Sequence, residues 1–238
     1  YIADAGVCSR REAEELMRAG RVRVNGTPAR QPGTKIDPDR VTVSVDGREI
    51  AAGEGKHYIV VNKPRGVVCT CRSQGGPTVI DLVDVPARVY PVGRLDKDSE
   101  GLVLLTNDGE LAEKLMHPRY GHEKEYVVRV NRPLQEGAAA IMARGVVLKD
   151  GTKTAPAEVK ELSRRRMRIT LREGKKREIR RMCEALGYAA VHLTRVRLEN
   201  VKLGRLPTGG WRRLTPRELN ELRRRTGVGA DAKQKRKT

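Results

Sequence analysis

The sequence predicts an α+β protein made of a small helix-plus-hairpin module and a larger domain with a mixed, mainly antiparallel sheet. Three observations support this prediction. Stretches of alternating apolar and polar residues are short, and they do not repeat as strand-helix units. Asn-Gly at residues 25–26 and Asp-Gly at residues 46–47 are strong hairpin signals. A length of 238 residues suits two unequal domains and a tail.

Residues 1–50 are predicted to form the small module. Ser9 and Glu12 have the spacing of a capping box and Gly20 is a stop signal, so we expect a helix from about residue 9 to residue 19. The two hairpins follow this helix. Residues 51–55, which are rich in Ala and Gly, predict a linker.

Residues 56–222 are predicted to form the larger domain, and residues 223–238 a basic, disordered tail. The alternating patterns predict strands at 58–61, 102–105, 125–130 and 166–172. Helices are expected after Asn107, Pro133 and Lys175, and at the capping pair Thr215 and Glu218.

The charge balance predicts a polyanionic partner. Forty-nine Lys and Arg against 30 Asp and Glu give a net charge of +19, which favours nucleic acid. An anionic membrane is the rival partner, but no apolar stretch approaches the roughly 20 residues needed to span a bilayer, and no signal peptide is evident. We therefore expect a cytoplasmic protein that binds nucleic acid and no membrane.

Basic residues cluster at the first helix, where Arg10 and Arg11 are candidates for RNA contact. The alternative is a solvated helix surface whose charges are balanced by Glu12, Glu14 and Glu15.

The four cysteines do not have the spacing of a disulfide scaffold or a zinc ribbon. Cys69 and Cys71 form a weak metal-binding pattern that Cys8 or His57 could complete, whereas reduced thiols are the simpler interpretation. We predict no metal site.

The most conspicuous segment is 92–101, where charged residues and two glycines interrupt apolar runs and predict a tight loop between strands. Arg94 and Asp96 are two residues apart, so their side chains share a face on an extended backbone. The pair is a candidate active site. The alternative is an exposed ion pair in a surface turn.

Four motifs resemble those of a known enzyme family. They are Gly-Arg-Leu-Asp at 93–96, Asn-Lys-Pro-Arg-Gly-Val at 62–67, Glu-Lys-Glu-Tyr at 123–126 and Gly-Lys-Lys-Arg-Glu-Ile-Arg-Arg-Met at 174–182. Together they resemble a group of ribosomal RNA pseudouridine synthases that comprises the A type, which modifies small-subunit rRNA, and the B, E and F types, which modify large-subunit rRNA. Residues 1–50 resemble the RNA-binding module of ribosomal protein S-four. Residues 97–101, 122–126 and 180–184 look most like the F type, while 116–118 and 206–211 lean towards the B type.

The resemblance implies a cofactor-independent isomerase that converts uridine to pseudouridine. Asp96 matches the catalytic Asp and would act as a nucleophile or stabilise charge on the ribose. Arg180 would pair with it and keep it ionised, although an i,i+4 pair with Glu184 is the alternative. Tyr126 would stack on the base and is a candidate for proton transfer; the alternative is a core residue.

Three further residues are assigned to substrate binding on the same resemblance. Arg94 would fill the gap left when the uridine leaves its stack, and Leu193 would line the pocket. Lys63 would contact RNA or support the structure.

The implied substrate is 23S ribosomal RNA near the peptidyl transferase centre, modified by a monomer. Three alternatives stay open: a small-subunit rRNA enzyme, a non-catalytic RNA-binding accessory protein, and a hydrolase that uses Asp96 and Asp98.

Overall fold

A computed structural model describes residues 1–51, 55–73 and 75–229. The helices are α1 (Arg10–Arg18), α2 (Gly109–Met116), α3 (Ala138–Ala143), α4 (Glu178–Ala185) and α5 (Pro216–Thr226), with a 3-10 helix at Pro118–Tyr120. The strands are β1 (Val22–Val24), β2 (Thr27–Pro28), β3 (Val43–Val45), β4 (Arg48–Ile50), β5 (Tyr58–Lys63), β6 (Tyr90–Val92), β7 (Glu100–Thr106), β8 (Lys124–Val130), β9 (Glu158–Ser163), β10 (Arg166–Leu171), β11 (Ala190–Leu198), β12 (Val201–Lys202) and β13 (Trp211–Arg213). No helix in the described ranges is long and apolar enough to cross a bilayer.

The first of two units comprises Tyr1–His57 together with Val85–Arg88. Helix α1 begins with the predicted capping box, in which Ser9 and Glu12 bond each other's backbone N–H groups. An antiparallel sheet in the order β2-β1-β3-β4 packs its valines against this helix. The predicted helix-plus-hairpins architecture is confirmed.

Val85–Arg88 corrects the predicted division of the chain, which placed these residues in the larger domain. Arg88 lies beside Gly6, and its positive charge opposes the rise that burial causes in the pKa of the Cys8 thiol. The segment therefore packs with the first unit despite its distance in sequence. Such a long-range return leaves no local pattern in the sequence.

The second unit contains a nine-stranded sheet with the main order β13-β5-β7-β11-β8-β10-β9, to which β12 and β6 are added at β11 and β7. Strands β7 and β11 are parallel, while the other strand pairs are antiparallel. This arrangement confirms the predicted mixed, mainly antiparallel sheet and the α+β class.

Two apolar clusters lie against this sheet. In the first, Met142 of α3 and Met182 of α4 pack on Val128 and Met167 of β8 and β10. In the second, Leu111 of α2 and Leu222 of α5 pack on Leu104 of β7. The helices therefore bury one side each against aliphatic strands, as their apolar periodicity predicts.

Two helix boundaries differ from the prediction. Asp108, not Asn107, caps α2, because its carboxylate accepts from the Leu111 N–H and is itself held by the Tyr58 hydroxyl at 2.6 Å.

Helix α5 has the predicted Thr215 capping box but continues to Thr226, so the predicted tail boundary after residue 222 is wrong. Thr226 is buried, and Arg224 and Arg225 both pair with Glu221, which extends the helix by a turn. The rest of the predicted tail, residues 230–238, and most of the predicted linker, residues 52–54, lie outside the described residues.

Candidate active site

Asp96 lies in the loop between β6 and β7, and Lys63 holds this loop in place. The Lys63 ammonium, at the end of β5, donates to the carbonyl oxygens of Pro64 and Val67 at 2.9 Å and approaches that of Lys97 at 3.4 Å. The Gly66 N–H also bonds to the Lys97 carbonyl. The loop therefore has little freedom around Asp96.

Placing Lys63 among RNA-contacting residues is wrong. Its side chain is fully buried, and burial lowers the pKa of its ammonium, although nearby acidic groups oppose this. A buried ammonium bonded to three carbonyls cannot reach RNA, so Lys63 positions the loop.

The structure brings Asp96 and Arg180 together. The Arg180 Nε atom lies 4.0 Å from the Asp96 carboxylate, and no described residue gives this Nε a hydrogen-bond partner. The guanidinium is fixed from behind, since its other nitrogens donate to the carbonyls of Ala190 and Asp98 at 2.8 and 3.1 Å. Arg180 thus presents a fixed positive charge to a carboxylate that is 35% exposed.

A cleft of about 770 Å³ opens above this carboxylate. It is large enough for a nucleotide that has left its stack. Its lining combines residues of the Asp96 loop with residues of β8, β11 and the segment before α4. Among the predicted site residues, Arg94, Asp96, Tyr126 and Leu193 line it.

Three predicted residues surround Asp96 within the cleft. Tyr126 of β8 is half-buried and Leu193 of β11 is buried, so both present apolar surface suited to a base. Arg94 is exposed and makes no ion pair with a described residue, so its side chain can move. Their roles stay predictions.

Arg10 and Arg11 lie on α1 of the first unit and do not line this cleft. Both are exposed, and neither pairs with an acid among the described residues. Arg18 and Arg21, in contrast, pair with Glu14 and Asp46. The two unpaired arginines remain candidates for RNA contact.

The metal-site alternative has no support in the structure, because residues 1–51, 55–73 and 75–229 contain no group of three His, Cys, Asp or Glu side chains that could hold an ion. Cys69 is buried and its Sγ accepts from the Leu95 N–H at 3.3 Å, which gives it a role in the Asp96 loop. Cys71 is exposed.

Comparison with known proteins identifies the family. Residues 57–185 match the RNA pseudouridylate synthase family, and residues 1–41 match the S4 domain. The chain belongs to the pseudouridine synthase family. It is therefore an isomerase, not a hydrolase or a non-catalytic RNA-binding protein, and the predicted resemblance is confirmed.

Relatives and a solved structure agree over most of the chain. The dual-specificity RNA pseudouridine synthase RluF of Escherichia coli K12 is 42% identical over 93% of this chain and 76% of its own length. The ribosomal large subunit pseudouridine synthase B of Bacillus subtilis is 40% identical over 97% of both chains. A crystal structure of a pseudouridylate synthase has a TM-score of 0.69 at 31% identity, covering 93% of this chain and 96% of that one.

Two cleft residues of this pseudouridine synthase were not singled out from the sequence, although both lie in the quoted motifs. Arg177 places Nη1 3.9 Å from the Asp96 carboxylate. Lys124 lines the cleft, where burial lowers the pKa of its ammonium and the cation of Arg195 lowers it further. The motifs contain both residues, but only the fold shows which motif residues face the cleft.

Arg177 has a strained backbone. It is the N-cap of α4 with φ of 52°, in the left-handed region that non-glycine residues seldom occupy. No described residue accepts a hydrogen bond from its side chain, and the side chain is 41% exposed. The Arg177 side chain therefore brings a second cation near Asp96 from a backbone conformation that costs about 1 kcal/mol.

Replacing Arg177 with Gly should raise stability and lower activity together. Glycine removes a left-handed penalty of about 1 kcal/mol, whereas loss of the cation beside Asp96 should reduce kcat by roughly ten-fold. Urea unfolding and single-turnover rates measure the two effects. Arg177→Ala is the matched control, which should lose the same activity without the gain in stability. Equal unfolding midpoints for the two variants would show that the left-handed backbone at residue 177 does not destabilise the protein.

Glu173 and Glu178 are neighbouring carboxyls in the cleft wall. Burial, followed by the hydrogen bond and charge of Glu173, raises the pKa of Glu178 to about 7. Burial alone would also raise the pKa of Glu173, but hydrogen bonds from Glu178, the Ala155 N–H and Lys175 lower it to about 2. Between about pH 2 and about pH 7 the pair therefore holds one proton, on Glu178.

Glu178→Gln should flatten the pH dependence of stability. A carboxyl whose folded-state pKa is raised stabilises the protein fully below its unfolded pKa and loses that contribution as pH rises through the folded pKa. For Glu178 this loss runs from pH 4.5 to about pH 7. Urea midpoints at about pH 5 and about pH 8 should differ less in the variant than in the wild type. An unchanged difference would show that Glu178 is ionised throughout.

Proposed function

We propose that this enzyme isomerises uridine to pseudouridine in 23S ribosomal RNA. The observation that carries the proposal is the Asp96 carboxylate, which lies 3.9 Å from Arg177 and 4.0 Å from Arg180 in a cleft of nucleotide size. Two relatives named for large-subunit or RNA pseudouridine synthesis support the substrate class. The net charge of +19 suits RNA.

The reaction breaks the bond between the ribose and N1 of uracil and forms a bond from the same ribose carbon to C5. The C5 proton leaves to solvent and N1 gains a proton, so atoms balance without a cofactor. Asp96 assists cleavage of the first bond, and Arg180 places a fixed positive charge 4.0 Å from its carboxylate. The Asp96 carboxylate is 35% exposed, which leaves room for the sugar beside it.

The remaining cleft residues hold the uracil while it turns. Tyr126 stacks on the base and exchanges a proton with it, and Leu193 supplies apolar surface in the cleft wall. Arg94, exposed at the edge, fills the space that the uridine leaves in the RNA. Closing the cleft with RNA removes water and strengthens the electrostatic interactions of the Asp96 carboxylate.

The two parts of the chain have separate tasks. The first unit places the RNA through Arg10 and Arg11, and the second unit carries the reaction. The basic residues after 229 add non-specific attraction for RNA. We place the enzyme in the cytoplasm as a monomer.

Tritium release tests this function. The purified enzyme should release tritium from 23S rRNA transcripts labelled at C5 of uridine, and sequencing of the product should locate pseudouridine at a small number of sites. A 16S transcript and bulk transfer RNA are the parallel substrates. Release from 16S RNA alone would overturn the choice of 23S rRNA, and free uracil among the products would overturn the isomerisation.

A further inference from the structure

The sheet of the second unit has a basic surface on the side away from the cleft. Side chains alternate along β8 and β10, so Val128 and Met167 are buried under α3 and α4. Tyr126 shares the side of Val128 and lines the cleft. Arg129, Arg166 and Arg168 point to the opposite side and are exposed. Together with Lys160 of β9 they define the outer basic face.

Strand register places these cations directly against one another. Arg166 is the Cα partner of Arg129, and Arg129 is in turn the partner of His192 on β11. Arg168 is the partner of Lys160. Like charges on directly opposite residues destabilise an antiparallel sheet, so the outer basic face opposes folding when nothing covers it.

The same side of the sheet is neutralised at its other end. There Arg172 bonds Glu123 at 2.9 Å, and Arg197 bonds Glu123 at 3.1 Å and Glu125 at 3.4 Å. Arg168 approaches Glu125 only at 3.7 Å. Arg129, Arg166 and Lys160 make no ion pair with any described residue. Within the described ranges, Arg129, Arg166 and Lys160 are therefore unpaired at one end of a side whose other end is neutralised by ion pairs.

The turn between β9 and β10 adds Arg164 and Arg165, both exposed. Their backbone is fixed, because the Leu134 N–H bonds the Arg164 carbonyl at 2.7 Å and the Val130 N–H bonds the Arg165 carbonyl at 2.9 Å. The β9–β10 hairpin and the neighbouring strand β8 therefore carry six exposed cations, which are Arg129, Lys160, Arg164, Arg165, Arg166 and Arg168. Because the backbone of this hairpin is fixed, binding a polyanion orders only the side chains.

We propose that the outer basic face binds the phosphate backbone of a second segment of the RNA substrate, separate from the segment that enters the cleft. Arginine suits this role, since its planar fork of donors matches phosphate oxygens. Phosphates also remove the repulsion between Arg129 and Arg166. The inference rests on the proposed rRNA substrate, because only an RNA larger than a single stem-loop can reach both sides of the sheet.

The test is the double variant Arg129→Gln/Arg166→Gln with two RNAs, a short stem-loop containing the modified uridine and a long 23S fragment around it. Affinity for the long fragment should fall by about ten-fold, and the slope of log affinity against log salt should become shallower by about 1.4–1.8. Tritium release from the stem-loop should not change. The unfolding midpoint should stay equal or rise, because repulsion is relieved, so weaker binding cannot be attributed to unfolding.

Arg172→Gln is the matched control, because it removes one arginine that Glu123 already neutralises. It should leave the salt slope unchanged. Unchanged affinity of the double variant for the long fragment overturns the proposal, as does an equal loss of stem-loop turnover. Wild-type protein that binds the long fragment with the full salt slope but releases no tritium from either RNA overturns the proposed function and leaves the outer basic face supported.

Discussion

Asp96→Asn is expected to reduce tritium release from 23S rRNA by roughly 10⁴-fold or more while RNA affinity stays within about two-fold. Asparagine preserves the size of the side chain but carries no negative charge and is a poor nucleophile. The loop should keep its shape, because Lys63 holds it through backbone carbonyls and not through the Asp96 carboxylate. Single-turnover release and filter binding measure the two quantities.

Asp98→Asn is the matched control for this experiment. Asp98 lies two residues along the same loop and is exposed, and it is the backbone carbonyl of Asp98, not the side chain, that accepts from Arg180. The same chemical change should therefore leave release within about two-fold. Comparable losses in the two variants would mean that paired carboxylates take part, and residual activity of Asp96→Asn near the wild-type level would remove Asp96 from the reaction.

Features coded by neighbouring residues were predictable from the sequence. The capping boxes at Ser9 and Thr215 each depend on two residues three positions apart. Strand β7 was predicted within two residues at its start because aliphatic residues follow one another without interruption. The motif at 93–96 also identified the loop that the structure shows to bear Asp96.

Features that depend on distant residues were not predictable in this way. The contact of Arg180 with Asp96 joins residues 84 positions apart, and it came from a family resemblance, not from spacing. Lys63 shows the limit of that resemblance, because a motif lysine looks the same whether it faces RNA or three buried carbonyls. The left-handed backbone of Arg177 has no signal at all, since Gly, Asn or Asp would be expected there.

Gly101→Ala is expected to destabilise the second unit by roughly 3–5 kcal/mol. Gly101 sits where β7 runs parallel to β11, with Arg195 as its partner and a φ of 105°. A Cβ at this position would meet the backbone oxygen of Arg195 and lie 2.7 Å from its backbone nitrogen. Because both atoms belong to the main chain of a central strand, neither a rotamer change nor a small shift relieves the overlap.

Gly151→Ala separates this overlap from backbone strain. Gly151 also has a positive φ, 81°, but a Cβ there would meet nothing within 4 Å, so the substitution should cost only about 1–2 kcal/mol. Urea unfolding of both variants gives the comparison, and the difference between them is the free energy of the clash at the β7–β11 contact. Equal midpoints would mean that the two parallel strands separate easily. The Asp96 loop, which enters β7 just before Gly101, would then lack the rigid support on which the fixed distance between Asp96 and Arg180 depends.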